Sequence, residues 1–107
     1  MTSLQPGSLA DAARATAARW REAAEISRDQ ADLMRRRAAA VRAIAESERL
    51  EAELTPVAVH AAPRHHHADL LAREAVIHES EADVLDREAD RMLAQARTAE
   101  LRAKSLG

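Results

Sequence analysis

The chain has 107 residues, enough for one domain, and its 27 alanines, single tryptophan and lack of phenylalanine and tyrosine exclude a conventional aromatic-rich core. The lack of cysteine excludes disulfides, thiolate metal sites and cysteine nucleophiles. The net charge of −2, with 16 basic and 18 acidic residues and no excess of positive charge in either half, excludes a polyanion-binding block.

The N-terminal segment, residues 1–7, contains a proline and a glycine and is predicted to be a flexible lead to a single helical hairpin over residues 8–107. Ser8 followed by Asp11 resembles a capping box, so the first helix is predicted over residues 9–54. It lacks internal glycine and proline, and it ends where Pro56 disfavours helical geometry at Thr55.

The segment 55–67 is predicted to be the connecting loop. Pro56 and Pro63 bracket a short apolar run without helical periodicity, and the chain is expected to reverse there. A second helix is then predicted over residues 68–105.

Alanine recurs at every heptad step of both predicted helices, at a position that we label a. Position d is mostly apolar in both helices, which predicts an all-α fold, an antiparallel two-helix coiled-coil hairpin. The a positions are Ala10, Ala17, Ala24, Ala31, Ala38, Ala45 and Ala52, then Ala75, Ala82, Ala89, Ala96 and Ala103. The d positions are Ala13, Trp20, Ser27, Met34, Val41 and Glu48, then Leu71, His78, Leu85, Met92, Ala99 and Leu106.

The register of the hairpin is predicted from the volumes of facing residues, because a small residue on one helix then faces a large one on the other. The predicted layers pair Ala38 with Leu85, Ala31 with Met92, Ala17 with Leu106, Val41 with Ala82, Met34 with Ala89 and Trp20 with Ala103. Position e of the first helix is arginine at every step, which predicts the ion pairs Arg42 with Glu79, Arg35 with Asp86 and Arg21 with Glu100. The same heptads also suit an antiparallel dimer of extended chains, and the proline-bracketed loop favours the hairpin.

A second apolar stripe lies off the alanine seam and is the predicted interaction surface. We expect it to mediate self-association into a larger helical bundle, or docking on another protein. Its residues are Leu9, Ile26, Leu33, Ile44 and Leu54 on the first helix and Leu70, Ile77 and Val84 on the second.

Five histidines suggest a metal site, since imidazole is the commonest transition-metal ligand, but their spacing argues against one. They are His60, His65, His66, His67 and His78. The three consecutive histidines point in different directions. His78, at a d position with Glu74 and Glu81 nearby in sequence, is the weak metal candidate, and the favoured interpretation is a polar core residue that sets register. No cofactor is predicted.

Other chemistry is not indicated by the sequence. The cluster Arg35 to Arg37 has acidic neighbours and no aromatic residue for stacking on bases, so nucleic-acid binding is not expected. No hydroxyl group has a positioned base, so we expect no enzyme activity and no catalytic residue. No apolar run approaches the roughly 20 residues that span a bilayer, so we expect no membrane insertion.

The length and the two-helix architecture are similar to those of the small secreted helical hairpins of actinobacterial type VII secretion. The family's Trp-x-Gly motif is missing, since Trp20 lies inside the first helix and is followed by Arg21 and Glu22. Without tyrosine, the family's tyrosine-containing export signal is absent as well. The resemblance therefore concerns architecture, and it implies a secreted hairpin effector as an alternative function.

The sequence favours a non-enzymatic structural or adaptor protein that acts through helix–helix interactions in a larger assembly, such as a phage particle or a secretion machine. The alternatives are the secreted effector and a metal-binding helical bundle. Fifteen of the 16 basic residues are arginine, which with the alanine content suggests a GC-rich actinobacterial or phage origin. A cytoplasmic or virion-associated location is expected, with secretion left open.

Overall fold

The computed structural model describes residues 6–107, with side chains from residue 8 onward. Two α-helices pack against each other in it, α1 over Pro6–Leu54 and α2 over Ala58–Leu106. No strand occurs in these residues. The predicted all-α helical hairpin is confirmed.

The start of α1 differs from the prediction. Residues 1–5 of the predicted lead lie outside the described residues, whereas Pro6 and Gly7 belong to the helix. Proline suits the first position of a helix because its missing N–H would have no helical acceptor there. Ser8 is thus the third residue of α1 instead of its cap. The end at Leu54 is as predicted.

The connection is much shorter than the predicted loop over residues 55–67, which is wrong. Only residues 55–57 join the helices, and the carbonyl of Val57 accepts a hydrogen bond from the Ala61 amide at 3.1 Å, which opens α2. Pro63 lies inside α2, where its missing N–H removes one helical hydrogen bond. Arg64, one residue later, forms an ion pair with Glu51 of α1 and holds these added turns against it.

The contacts of the chain divide it into two units, each built from one stretch of each helix. The terminal unit consists of residues 6–29 with Leu85–Gly107, and the loop unit is Gln30–Val84. Apart from Ser27, every buried residue described is an alanine. The terminal unit buries Ala10, Ala13, Ala17, Ala24, Ala89, Ala96, Ala99 and Ala103, and the loop unit buries Ala31, Ala38, Ala45, Ala52, Ala68, Ala75 and Ala82.

The predicted register is wrong, as two contacts of the terminal unit show. The hydroxyl of Ser27 donates a hydrogen bond to the carbonyl of Leu85 at 2.7 Å, although Leu85 was expected to face Ala38. At the chain end, a Cβ on Gly107 would lie 3.5 Å from the Cβ of Ala10. The short connection explains the difference, because moving the turn toward the N-terminus brings earlier residues of α1 opposite each residue of α2.

Candidate interaction face

The heptad positions define two sides of each unit. At about 100° per residue, positions d, g and c lie consecutively on one side of the alanine stripe, and positions e and b lie on the other. In an antiparallel pair, the same positions of the two helices lie on the same side. We call the side with d, g and c the apolar face and the side with e and b the charged face.

The charged face of the loop unit carries two ion pairs between the helices. Arg42 Nε lies 2.7 Å from Glu79 Oε1, which confirms a predicted pair, and Arg35 Nη2 lies 3.3 Å from Asp83 Oδ1. The hydrogen bond from Arg42, together with its charge, lowers the pKa of the Glu79 carboxyl, and desolvation opposes this shift only in part.

The charged face of the terminal unit follows the same pattern. Arg21 and Glu100 form an ion pair, as predicted, and Arg28 Nη2 lies 3.4 Å from Asp90 Oδ1. All four side chains are exposed by more than a third, so each pair is worth about 0.2–1 kcal/mol. The pairs help to orient the helices and contribute little to stability.

The apolar face of the loop unit holds the six residues of the predicted stripe that belong to this unit, and all of them are exposed. Their exposed fractions range from 43% for Leu33 to 83% for Leu54. The six are Leu33, Ile44, Leu54, Leu70, Ile77 and Val84. The structure therefore gives these side chains no apolar partner that covers them.

The apolar face of the loop unit is wider than the sequence predicts. Met34, Val41 and Leu71 were assigned to the seam as d residues, but they are only half-buried. Because the alanines at position a are fully covered by the facing helix, the d residues lie beside the contact line and not within it. Sequence reasoning missed this consequence of an alanine at every a position.

The apolar face of the terminal unit also presents partly exposed apolar groups. Leu9 and Ile26, the two predicted stripe residues of this unit, are exposed, and Trp20 is 37% exposed. Trp20 lies in a groove between the helices, with alanine, threonine, glutamine and arginine side chains around it. The groove is lined by Ala13, Thr16, Trp20, Gln95, Thr98, Ala99 and Arg102.

Charged residues at position g lie within the apolar face of the loop unit. Arg37 of α1 makes no ion pair with residues 8–107. Within the described residues, the carboxylates of Glu74 and Glu81 form ion-pair contacts only with His78, Glu74 at 3.5 Å from Nε2 and Glu81 at 4.0 Å from Nδ1. Away from the connection, the face thus combines apolar side chains with a cation on α1 and carboxylates on α2, whereas near the connection Glu48 and Glu51 of α1 pair with Arg64 of α2.

His78 has the surroundings of a half-buried polar residue and not those of a metal ligand. Its Nδ1 is buried and has no hydrogen-bond partner among the described residues. Glu74 and Glu81 lie at opposite ring nitrogens, so one ion at either nitrogen would miss the other carboxylate. Within residues 6–107, no group of three or more histidine, aspartate or glutamate side chains is placed to hold a metal ion.

The remaining histidines lie on α2, because this helix begins before them. All four are exposed, and the one ion-pair contact among them within the described residues joins His67 Nδ1 to Glu48 at 3.7 Å. Successive helical residues are turned by about 100°, so the consecutive histidines point in different directions, as predicted.

Neither helix, over the part of the chain that the structure describes, has a stretch long and apolar enough to cross a membrane. Comparison of the chain with protein-family models, curated proteins and solved structures finds no match.

Proposed function

We propose that this chain is a non-enzymatic docking protein, a structural subunit or adaptor that joins a larger assembly through helix–helix contacts on its apolar face. The observation that carries the proposal is that six of the ten large apolar side chains exposed in the loop unit lie on one face. Contiguous exposed apolar surface beyond a few hundred Å² marks interaction sites in proteins.

The energetics of the loop unit favour this interpretation. Covering the exposed half of a leucine or isoleucine side chain contributes about 1 kcal/mol. Nine large apolar side chains of this face are exposed or half-buried, so covering most of them contributes more free energy than the ion pairs of the charged face. The nine are Leu33, Met34, Val41, Ile44, Leu54, Leu70, Leu71, Ile77 and Val84.

The shape of the face also defines the kind of partner. Two parallel rows of apolar side chains on helices present a groove that accepts another helix or helical pair. The charges at position g restrict the orientation in which such a partner binds. Subunits of a phage particle or of a secretion machine are partners of this kind.

The test is affinity purification of the tagged chain from the organism that encodes it, at low salt, with mass spectrometry of what co-purifies. Ile77→Glu places a charge in the apolar face, whereas Ser80→Glu places the same charge at an exposed position f of the same helix. We expect a partner, or additional copies of the chain, that Ser80→Glu retains and Ile77→Glu loses. Equal recovery with both variants, or no partner with the unaltered chain, would contradict the proposal.

A further inference from the structure

We propose that the partner of the apolar face of the loop unit is a second copy of the same chain, in a dimer with Arg37 of each copy paired with Glu81 of the other. The two-fold axis of this dimer runs parallel to the helices. The inference rests on the proposed function and adds the identity of the partner.

The first argument is the position of two opposite charges. Arg37 and Glu81 are offset along the two helices by the same amount as Arg35 and Asp83, whose side chains form an ion pair at 3.3 Å. Both residues occupy position g, on the apolar face, and Arg37 makes no ion pair with residues 8–107. The hairpin therefore presents a cation on α1 and a carboxylate on α2 at the offset that suits an ion pair, and the two form no ion pair with each other.

The second argument is symmetry. Rotation by 180° about an axis parallel to the helices keeps every residue at its level and lays α1 of one copy on α2 of the other. Arg37 then has the same offset from Glu81 of the second copy as Arg35 has from Asp83 of its own chain, so the two side chains pair, and the same pair forms again on the other side of the axis. An axis perpendicular to the helices would lay α1 on α1 and leave the two charges without this pairing. Charge complementarity thus selects the parallel axis.

The third argument is surface area. The chain exposes 7599 Å², whereas a compact monomer of 11.7 kDa exposes about 5,900 Å². The excess of about 1,700 Å² per chain is larger than the roughly 600–1,000 Å² that each partner of a stable interface buries. The hairpin has enough uncovered surface for a dimer.

The dimer also gives the half-buried d residues a place. In a four-helix arrangement, position a faces the helix of the same chain and position d points toward the centre of the bundle. Met34, Val41 and Leu71 of both copies would meet there and exclude water from one another. If the hairpin is one half of a four-helix bundle, these residues are incompletely buried in the single chain because the second copy covers them.

The experiment is sedimentation equilibrium of the purified chain over a wide concentration range, with two charge reversals. Arg37→Glu places two carboxylates opposite each other in the dimer, and Glu81→Arg places two guanidinium groups there. We expect each variant alone to dimerise at least about tenfold more weakly than the unaltered chain. An equimolar mixture of the two should recover the dimer, because both contacts of the mixed dimer are again between opposite charges.

Matched controls separate this pairing from a general effect of charge. Arg36→Glu and Asp69→Arg make the same changes at exposed positions f and b, away from the apolar face, and should leave dimerisation unchanged. Circular dichroism of each variant shows whether it stays helical. The mixture is decisive, because a pairing within one chain would not be restored by mixing two variants.

Three results would overturn the inference: a monomeric unaltered chain at every concentration, a dimer insensitive to Arg37→Glu, or a mixture of variants that stays monomeric. A monomer that still captures a different protein through Ile77 would refute the second copy as partner and leave the proposed function intact. If the unaltered chain binds neither a second copy nor any other protein through Ile77, the proposed function itself is refuted.

Discussion

Alanine at position a determines how the two helices meet, because nothing larger than a methyl group lies between their backbones at these positions. Ala38 is 2% exposed, and a leucine there would have to displace the facing helix. We expect Ala38→Leu to lower the free energy of unfolding by about 1–3 kcal/mol, the usual cost of added volume in a packed core. Ala43→Leu, at an exposed position f of the same helix, is the control and should change it little. Urea unfolding measures both, and equal effects would contradict the close alanine contact.

The ion pair of Arg42 and Glu79 predicts a local dependence on pH. The pKa of Glu79 is lowered in the folded chain, so its stabilising contribution is present above the ordinary glutamate value of about 4.3 and is lost as the pH falls through the lowered value. Glu79→Gln should therefore be less stable than the unaltered chain at neutral pH, and the difference should disappear in acid. Glu53→Gln, at a carboxylate without an ion pair in the described residues, should show no such convergence. Unfolding curves at neutral and acidic pH provide the measurement.

Among the elements, the start of α2 differs most from the sequence prediction, and replacing the prolines near it tests where this helix begins. Pro63 removes one helical hydrogen bond, to the carbonyl of Val59, so Pro63→Ala should restore that bond and stabilise the chain by up to about 3 kcal/mol. Pro56→Ala, in the connection, should give no comparable gain. Hydrogen exchange should show protected amides soon after residue 61 in the unaltered chain. Rapid exchange throughout residues 58–67 would instead support the loop that the sequence predicts.

The alanine repeat allows the two helices and their seam to be predicted from sequence, but not their register. The repeat puts alanine at the seam in many registers, and it does not say whether an alanine faces another alanine or a d residue. The observed register differs from the predicted one by 11 residues of α1, since Leu85 meets Ser27 and not Ala38. The length of the connection decides, and Pro63 made that connection appear ten residues longer than it is. The ion pairs of Arg21 and Arg42 are nevertheless confirmed, because long arginine and glutamate side chains reach partners at a different level along the helices.

The eight stripe residues lie off the seam, as expected, but three further apolar residues of the loop unit's face, Met34, Val41 and Leu71, escaped prediction. Position d is a core position when the a residues are large, whereas alanine at every a position leaves d beside the contact line. Met34 and Leu71 show this directly, since both are apolar d residues that remain half-buried. The extent of an exposed face therefore depends on the separation of the helices, which a heptad pattern alone does not specify.

For the whole molecule, a core of alanines makes stability depend on association. An alanine side chain buries little area, and none of the larger side chains that the structure describes is completely buried, so a chain of this size is expected to be only marginally stable alone. If dimerisation covers the apolar face, folding is linked to association, and the melting temperature should rise with protein concentration. Arg37→Glu should lower the melting temperature and weaken its dependence on concentration, whereas Arg36→Glu should behave like the unaltered chain. Thermal unfolding followed by circular dichroism over a wide concentration range measures both. A high melting temperature that does not change with concentration would mean that the hairpin is stable alone and that its apolar face is not needed for folding.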